Sequence, residues 1–446
     1  MSRLRILVLA SFCDPEAVSM PYVAYCHAAA LGELHDVTLV IGAPVEEKVR
    51  RANGPFHAIE VVRRPVLERV HAWCFRWIFR NNFSSQALTA FGYPLALHFE
   101  WQAWRQLRRR ILGGEYDLVL RLLPMSAVIP SPFAFFLRKG PIPFVIGPVT
   151  GGLPFVKGFK QAEKQKEWIS GLRGLHRFFP FARSTYRNAA AIIAASSQNY
   201  AELAAYSDKL FFIPENGVSR QVLSGRQRSG ACSEKLELIF VGGLVPCKAC
   251  DLALRAAAPL LKNSLARLRI LGDGPERSGL EELAKSLGIL QSAFFHGWIP
   301  HDEALRWLQA SDVMIFPSVR DFGAGVVFEA LATGAVPVVA DFGGPGDIVH
   351  SDIGYKVPLT NENDVVERMG RILAELAQNR PLLETLRKQG MEYAQKQLTW
   401  DAKAHSTTQV LNWVMGRDTR PFLPSPKAAD AKRAASEENQ SCMQGS

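Results

Sequence analysis

The chain has 446 residues, of which 48% are hydrophobic and 21% charged. This length exceeds what one ordinary core fills, and the composition is that of a globular protein, which excludes disordered and fibrous classes. Residues 1–212 carry the whole of the net charge of +10, so we expect a membrane surface or an anionic substrate as a partner of that half. No recognition motif accompanies the charge, and we therefore expect no nucleic-acid partner.

The first apolar run, "RILVLASF" at 5–12, predicts a buried β-strand. It lacks the small-residue cleavage pattern of a secretion signal, and no apolar run reaches the roughly 18 residues that a membrane helix needs. We therefore expect a cytoplasmic protein. Further runs of strand length follow, separated by stretches of helical size: "HDVTLVIG", "YDLVLRLL", "IPFVIGP" and "AAAIIAAS". This alternation predicts βαβ units and a parallel sheet.

Residues 65–112 interrupt this alternation and are predicted to be helical. The stretch "RRPVLERVHAWCFRWIFRNN" interleaves basic with aromatic side chains, namely Arg63, Arg64, Arg69, Arg76 and Arg80 with Trp73, Phe75, Trp77 and Phe79. One interpretation is a surface helix that rests on anionic lipid, on the inner face of the membrane. The other is a partly buried domain helix whose arginines face water.

A second alternating series begins after a polar connection, "SGRQRSGACSEK" at 224–235. Its strand-like runs are "LELIFVGGL", "LARLRILGDGP", "SAFFHGW", "DVMIFPS" and "AVPVVAD". The same architecture is thus predicted twice, which indicates two Rossmann-like domains. We place them at 1–212 and 213–395, with a C-terminal helix at 396–416 that could return to the first domain. Residues 417–446 are polar and rich in Pro, Ser and Ala, and we expect a disordered tail there.

The loops that follow the strands of the second series are rich in glycine and polar residues. In open parallel sheets ligands bind beyond the carboxyl ends of the strands, and glycines there allow backbone N–H groups to approach a ligand. Lys248 adds a positive charge suited to phosphate, and the carboxylates of Asp321 and Glu329 accept hydrogen bonds from hydroxyl groups. Together these groups predict a nucleotide-sugar site. Taken alone, Glu329 could equally be a carboxylate that favours the dipole of its helix.

Seven cysteines (13, 26, 74, 232, 247, 250 and 442) form no disulfide framework in a chain of this length. Only Cys247 and Cys250 have suggestive spacing. A redox role is conceivable, because thiols at a helix N-terminus have depressed pKa values. A tetrahedral zinc site would need a second pair, so two incidental thiols beside a functional lysine are the preferred interpretation.

These motifs resemble the large family of retaining GT-B glycosyltransferases, glycosyltransferase family 4 (group 1). The resemblance runs from Phe240 to about Val349 and includes "FVGGLVPCKACDLALRAAAPL", "LRILGDGPERSGLEELAKSLGI", "FFHGWIPHDEAL" and "DFGAGVVFEALATGAVPVVADFGGPGDIV". Asp321 and Glu329 stand at the two acidic positions of the family signature. The resemblance implies an α/β GT-B fold, two Rossmann-like domains that face a central cleft. It also implies a metal-independent, cofactor-free hexosyltransferase of polysaccharide biosynthesis that uses a nucleotide-diphosphate sugar.

The resemblance also implies a role for each site residue. Lys248 and Asp321 would be catalytic, with Lys248 on the donor diphosphate and Asp321 on hydroxyls of the transferred sugar, while Glu329 would hold the ribose. The implied donor site comprises Gly242, Gly243, Lys248, Gly272, Gly274, Trp298, Ile299, Asp321, Phe322, Gly323, Ala324, Gly325, Val326 and Glu329. A glycan or lipid-linked acceptor would bind the N-terminal domain near Glu16, Ser19, Arg121, Gly147, Thr150, Gly151 and Gly152.

The sequence departs from the family pattern at four positions. Gly243 stands where many members have Arg, Ala249 where they have Gly, and Asp321 where Glu is common; Leu120 stands where relatives often carry His. Leu120 and Gly243 motivate an alternative to the active transferase, a catalytically impaired GT-B protein that binds a nucleotide sugar or a partner. A sugar-nucleotide epimerase on the same fold is a third hypothesis.

Overall fold

The computed structural model describes residues 2–63, 85–153, 156, 158–159, 179–223 and 234–423, and only the backbone of 85–92. The basic aromatic stretch from 64 to 84, most of the predicted connection at 224–235 and residues 424–446 of the predicted tail lie outside the described residues. The chain forms two compact α/β units. The first comprises the described parts of 1–152, 167–215 and 400–425, and the second those of 153–166 and 216–399.

The first unit is built on a seven-stranded sheet in the order β3-β2-β1-β4-β5-β6-β7, in which all neighbouring strands are parallel. The strands are β1 (Arg5–Ala10), β2 (Asp36–Gly42), β3 (Ala58–Val62), β4 (Leu118–Leu123), β5 (Phe144–Val149), β6 (Ala191–Ala194) and β7 (Leu210–Phe212). Alternate residues of β1 enter different clusters: Ile6 and Val8 pack in one, Leu7 and Leu9 in the other. Both faces of the sheet are therefore covered, as continuous apolar strands predict.

The described helices of the first unit that precede β7 alternate with these strands. They are α1 (Met20–Leu34), α2 (Glu46–Arg51), α3 (Ser85–Leu112), α4 (Pro132–Phe136), α5 (Ala182–Asn188) and α6 (Ser197–Glu202). The prediction of helix up to residue 112 is confirmed from residue 85 onward. Among the described residues, no helix is both long and apolar enough to cross a membrane.

The second unit contains a six-stranded parallel sheet in the order β10-β9-β8-β11-β12-β13. Its strands are β8 (Leu236–Val241), β9 (Ala266–Leu271), β10 (Ala293–Gly297), β11 (Val313–Phe316), β12 (Val336–Ala340) and β13 (Tyr355–Val357). Its helices are α7 (Arg220–Leu223), α8 (Cys250–Lys262), α9 (Arg277–Ser286), α10 (His301–Ala310), α11 (Gly325–Thr333), α12 (Gly343–Ile348), α13 (Glu362–Gln378) and α14 (Arg380–Gln397). Two Rossmann-like parallel-sheet domains are thus confirmed.

The final helix, α15 (Trp400–Val414), belongs to the first unit and packs on α1. Two polar pairs join the helices, one at the middle of α1, where His27 Nε2 lies 3.0 Å from Thr407 Oγ1, and one just after its C-terminus, where His35 Nε2 lies 2.9 Å from Thr408 Oγ1. Ordered chain continues beyond the predicted start of the tail at 417. The guanidinium of Arg420 donates to the carbonyls of Ser207 (2.9 Å) and Leu210 (3.0 Å).

Three strands went unpredicted, β3, β7 and β13, which have five, three and three residues. Four of the five residues of β3 are half-buried, and the apolar run of β7 merges into the Pro-Glu-Asn-Gly turn. β7 and β13 contain too few side chains for a clear pattern, and β3 lacks a continuous buried run. The place of all three in the sheet comes from pairing with neighbouring strands.

Candidate functional site

Lys248 and the segment 321–329 follow β8 and β11, which lie side by side at the centre of the second sheet. The chain runs outward from β8 through β9 to β10, and then returns to β11 on the other side of β8. The strand order therefore reverses between β8 and β11, and a crevice opens at such a point beyond the carboxyl ends of the strands. Of the loops predicted to form the nucleotide-sugar site, those after β8 and β11 lie at this point of the fold.

The side chains of Lys248 and Asp321 form an ion pair between Nζ and Oδ2. They are 24% and 13% exposed, respectively, so both remain accessible to a ligand. Lys248 ends a 3-10 turn, Pro246–Lys248, and its Nζ lies 5.1 Å from the centre of the Phe316 ring at the end of β11. The two residues predicted to be catalytic are therefore in direct contact.

The backbone of the Lys248 turn is tied to the loop after β11. The carbonyl oxygen of Cys247 accepts hydrogen bonds from Ser318 Oγ (3.0 Å) and from the N–H of Val319 (2.9 Å). These bonds fix the lysine turn against the segment that leads into Asp321. Sequence reasoning did not assign Phe316 or Ser318 a part in the site, because their contribution depends on which strands are neighbours.

The N-terminus of α11 lies beside the Lys248–Asp321 pair. Asp321 Oδ1 accepts a hydrogen bond from the N–H of Ala324 (3.1 Å), and Ala324 itself adopts a left-handed conformation with φ of 44°. Helix α11 begins at the next residue, Gly325. The first N–H groups of a helix lack partners within the helix and carry a partial positive charge, so this terminus is suited to an anion. Lys248 adds a full positive charge beside it.

Glu329 lies on the first turns of α11, and its Oε1 is 2.7 Å from Nε2 of His301, the first residue of α10. The hydrogen bond to Glu329 raises the pKa of His301 above its ordinary value. Glu329 thus has a specific partner and does more than favour the helix dipole. The partner is 28 residues away in sequence, and helical spacing gives no signal for it.

Several glycines of these loops are required because loops pack directly against one another. A Cβ on Gly272 would lie 2.0 Å from the carbonyl oxygen of Gly242, and a Cβ on Gly344 would lie 2.4 Å from that of Phe322. We predicted that these glycines admit a ligand. The structure shows that they also let the loops after β8 and β9 approach closely, and the first turn of α12 approach the loop after β11. The first turn of α12 therefore packs against the 321–324 segment and supports it.

The loop after β10 presents Trp298 to solvent with 77% of its surface exposed, while Ile299 packs against the core. The carbonyl of Gly297 accepts a hydrogen bond from the N–H of Gly272 (2.8 Å), which connects this loop to the one after β9. An exposed tryptophan beside a loop at the carboxyl edge is a surface on which a planar base can stack. Contact with a base stays a prediction.

Most residues predicted on the acceptor side lie at the carboxyl ends of β1 and β5 in the first sheet. Glu16 and Ser19 are exposed, and Glu16 pairs with Arg51 at 3.3 Å. Gly151 accepts a hydrogen bond from Asn199 Nδ2 at 3.0 Å through its carbonyl, and Gly152 follows it. Thr150 Oγ1 is buried and makes no hydrogen bond within the described residues. By contrast, Gly147 is enclosed in the sheet, where a Cβ would lie 2.4 Å from the carbonyl oxygen of Ile193.

The placement of Arg121 on an open acceptor surface needs correction. Arg121 is 1% exposed and lies 3.5 Å from Glu100 of α3, which is equally buried. Its guanidinium donates to the carbonyls of Ile129 (2.9 Å) and Pro124 (2.6 Å), and Glu100 also pairs with the hydroxyl of Ser131. Burial raises the pKa of Glu100 to about 7 although Arg121 lies beside it. Arg121 therefore holds the loop after β4 from inside the domain.

The two cysteines beside Lys248 do not form a reactive pair. Cys250 is buried at the start of α8, and this burial raises the pKa of its thiol well above the ordinary value. A thiolate is the reactive form in redox and metal chemistry, so burial keeps this thiol inert. The incidental interpretation of the pair is the one that the structure favours.

Comparison with known proteins agrees with this geometry. Residues 224–395 match the family model described as glycosyl transferases group 1. The second unit thus matches a glycosyltransferase model over nearly its whole length. The chain is 27% identical over 191 residues to an uncharacterized glycosyltransferase of Methanocaldococcus jannaschii, covering 43% of this chain and 48% of that protein. It is 32% identical over 197 residues to a D-inositol 3-phosphate glycosyltransferase of Streptomyces griseus, covering 42% and 41%.

The matched segments therefore span less than half of the length of either relative. Among solved structures, HepE of Anabaena in complex with UDP and glucose superposes with a TM-score of 0.57 at 16% identity. That superposition covers 92% of this chain and 100% of HepE. At this level of identity the likeness concerns the fold, which is the two-domain GT-B architecture.

Proposed function

We propose that this protein is a glycosyltransferase that moves a sugar from a nucleotide-diphosphate sugar to a glycan or lipid-linked acceptor with retention of anomeric configuration. One observation carries the proposal. At the reversal point of the second sheet, Lys248, Asp321 and the N-terminus of α11 come together, with Glu329 on the same helix. This arrangement offers positive charge for a diphosphate and carboxylates for hydroxyl groups in one crevice.

The chemistry of the proposed reaction fits these groups. Cleavage of the bond between the anomeric carbon and the diphosphate leaves negative charge on the departing oxygen. A fixed ammonium and a helix N-terminus stabilise such charge without proton transfer, and the gain is large when both are already in place. The bonds from Ser318 and Val319 to the Cys247 carbonyl hold the Lys248 turn in place. We assign Lys248 and α11 to the diphosphate on this basis.

The carboxylates would bind the two sugars on either side of the diphosphate. Asp321 lies in contact with Lys248, so we assign it to hydroxyls of the sugar to be transferred. Glu329 lies further along α11, and we assign it to the ribose. The exposed ring of Trp298 would lie against the base. HepE was solved with UDP and glucose, which supports a nucleotide sugar as the partner of this fold.

Retention and independence from a metal are parts of the proposal that need their own measurements. Lys248 and the terminus of α11 supply positive charge from the protein, so we propose that turnover continues in the presence of a chelator. Proton NMR of the first-formed product would reveal whether the anomeric configuration of the donor is kept. Loss of transfer in EDTA, restored by a divalent cation, would contradict metal independence.

The first unit has a surface of basic and aromatic side chains, and this surface supports the proposal that the acceptor resides in a membrane. Trp101 of α3 is 46% exposed and packs on Phe136 of α4 at 5.6 Å between ring centres. Exposed Arg105 and Arg138 flank this pair, and the guanidinium of Arg138 lies 3.6 Å from the centre of the Phe135 ring. Interfacial surfaces combine basic and aromatic side chains in this way. We propose that this face contacts the cytoplasmic side of an anionic membrane.

Vesicle flotation tests the membrane contact. The full chain should float with vesicles that contain phosphatidylglycerol and stay behind with pure phosphatidylcholine. Charge reversal at Arg105 and Arg138, or separately at Arg69, Arg76 and Arg80, should reduce flotation, and reversal at Lys262 and Lys285 of the second unit should not. Equal flotation of all variants would remove the proposal.

The proposed activity is tested with a panel of nucleotide sugars. We expect one donor to release its nucleoside diphosphate. The release should be slow when water is the only acceptor and faster when the sugar acceptor is present. Binding of a donor without release would instead identify the catalytically impaired protein. Formation of an epimerised sugar together with free nucleotide would indicate the epimerase. If no nucleotide sugar or nucleoside diphosphate binds, the proposal fails.

A further inference from the structure

His301 and Glu329 make a close contact that the proposed chemistry does not use. The two residues come from the first turns of neighbouring helices, α10 and α11, and His301 Nε2 lies 2.7 Å from Glu329 Oε1. An ionised carboxylate can only accept a hydrogen bond, so the proton must be on Nε2 of the imidazole. The bond therefore has a defined direction, from His301 to Glu329.

The surroundings distinguish this pair from an ordinary surface ion pair. The Glu329 side chain is 24% exposed and that of His301 is 58% exposed, so the carboxylate is largely enclosed while the imidazole faces outward. Exposed pairs generally contribute little to stability. The hydrogen bond from His301 has another effect on the enclosed Glu329 carboxylate. It fixes the rotamer of the glutamate and thereby the direction of its second oxygen, Oε2.

His301 also follows directly on the loop after β10. Trp298 and Ile299 of that loop lie three and two residues before it, and Pro300 precedes the first turn of α10. The histidine thus stands between the loop assigned to the base and the carboxylate assigned to the ribose. A ligand whose base and ribose occupy these two positions would pass the imidazole.

We propose that His301 is a positioning residue of the donor site, which orients Glu329 so that Oε2 accepts hydrogen bonds from the ribose hydroxyls. This inference rests on the proposed function, because it assumes that a nucleotide occupies the site. It predicts that His301 contributes to the recognition of ribose and contributes nothing to a nucleotide without the two ribose hydroxyls.

The charge on His301 should make this recognition depend on pH. Glu329 faces the imidazole from α11 and Asp302 lies beside it on α10, and both raise its pKa above the ordinary value, Glu329 more strongly. The protonated imidazole makes a charge-assisted hydrogen bond, which is roughly twice as strong as a neutral one. Nucleotide affinity should therefore fall as the pH rises through the raised pKa of His301.

Calorimetric titration of the full chain with UDP, GDP and ADP identifies the nucleoside diphosphate to be used as the probe. At pH 7 we expect His301→Leu to weaken binding of that probe about tenfold, the effect of about one charge-assisted hydrogen bond. The 2′,3′-dideoxy form of the same probe should bind the wild type and the variant equally. His301→Gln, which retains a donor at the position of Nε2, should recover most of the loss.

The pH profile and a matched control complete the test. Between pH 6 and 9 the affinity of the wild type should fall relative to that of His301→Gln, which has no group to titrate at this position. His405→Leu removes an exposed histidine whose Nδ1 lies 2.8 Å from the carbonyl oxygen of Asp401, and it should change neither affinity nor profile. In the Glu329→Gln background the His301→Leu change should have little further effect.

The outcomes separate this inference from the proposed function. Failure of the wild type to bind any of the three diphosphates would overturn the proposed function. Tight binding by the wild type with an unchanged affinity in His301→Leu would overturn the role of His301 alone. An equal loss for the ribose and dideoxy probes would also overturn it, because the effect would then not pass through the hydroxyls.

Discussion

The two units both contain a close basic–acidic pair at a strand, and the pairs differ in what surrounds them. In the second unit, Lys248 and Asp321 sit on loops beyond the strand ends, 24% and 13% exposed. In the first unit, Arg121 lies within β4 and pairs with Glu100, and both are 1% exposed. The first of these pairs is accessible from solvent, as a ligand site requires. The second is enclosed by the protein, and the hydrogen bonds of Arg121 to the carbonyls of Ile129 and Pro124 hold the loop after β4.

This difference shows that charge pairs must be judged by their position along the strand. A side chain in the loop after a parallel strand reaches the edge where ligands bind. A side chain inside a strand that is covered on both faces can only point into a core. The comparison predicts opposite results of mutation: loss of activity with intact stability in the second unit, and loss of stability in the first.

Replacement of Lys248 should have the largest effect on activity. Lys248→Ala removes the ammonium assigned to the leaving diphosphate, and we expect transfer to fall about a hundred- to thousandfold. The melting temperature should change little, because the side chain is partly exposed. Initial rates with the preferred donor and thermal unfolding check both parts. Lys285→Ala, at an exposed lysine near the end of α9, should alter neither value. If the Lys248→Ala protein instead lost activity because it unfolds, as shown by a large drop in melting temperature, the two pairs would not differ in the way proposed.

Replacement of Arg121 should have the largest effect on stability. Arg121→Met leaves Glu100 buried beside an apolar side chain, and breaking a buried pair on one side costs about 3–5 kcal/mol. The double variant Arg121→Met with Glu100→Gln removes both charges and should be considerably more stable than the single variant. Urea unfolding of the three proteins gives these values. If the single and double variants were equally unstable, the pair itself would not be the cause.

Replacement of Gly344 tests the loop packing that supports the site. In Gly344→Ala the new Cβ would lie 2.4 Å from the carbonyl oxygen of Phe322, so the 321–324 segment has to move. We expect the KM for the donor to rise about tenfold, because a shift of this segment displaces Asp321 and the start of α11. The free energy of unfolding should fall by about 1–3 kcal/mol. Donor titration and urea unfolding measure the two effects, and an unchanged KM would show that the start of α12 does not position the site.

The sequence was sufficient to predict both Rossmann-like domains and the meeting of Lys248 with Asp321. These predictions succeed because long apolar runs identify the strands, and because loops after parallel strands share one edge of a sheet. The role of Arg121 was assigned wrongly, although the apolar residues on both sides of it in "LVLRLL" indicate burial. His301 was missed because its contact with Glu329 depends on how α10 and α11 pack. Such contacts between elements distant in sequence leave no periodic signal.

Replacement of Gly279 should have the smallest effect and the opposite sign to Gly344. Gly279 lies in helix α9, is exposed, and a Cβ there would meet no atom within 4 Å. Gly279→Ala should raise the free energy of unfolding by about 0.5–1 kcal/mol, because alanine restricts the unfolded chain and favours the helix. The KM for the donor should stay at the wild-type value. Urea unfolding of Gly279→Ala and Gly344→Ala therefore compares the effect of one added methyl group at two glycines of the same unit. If both variants lose stability equally, the close contact of Gly344 with the Phe322 carbonyl does not explain the effect of Gly344→Ala.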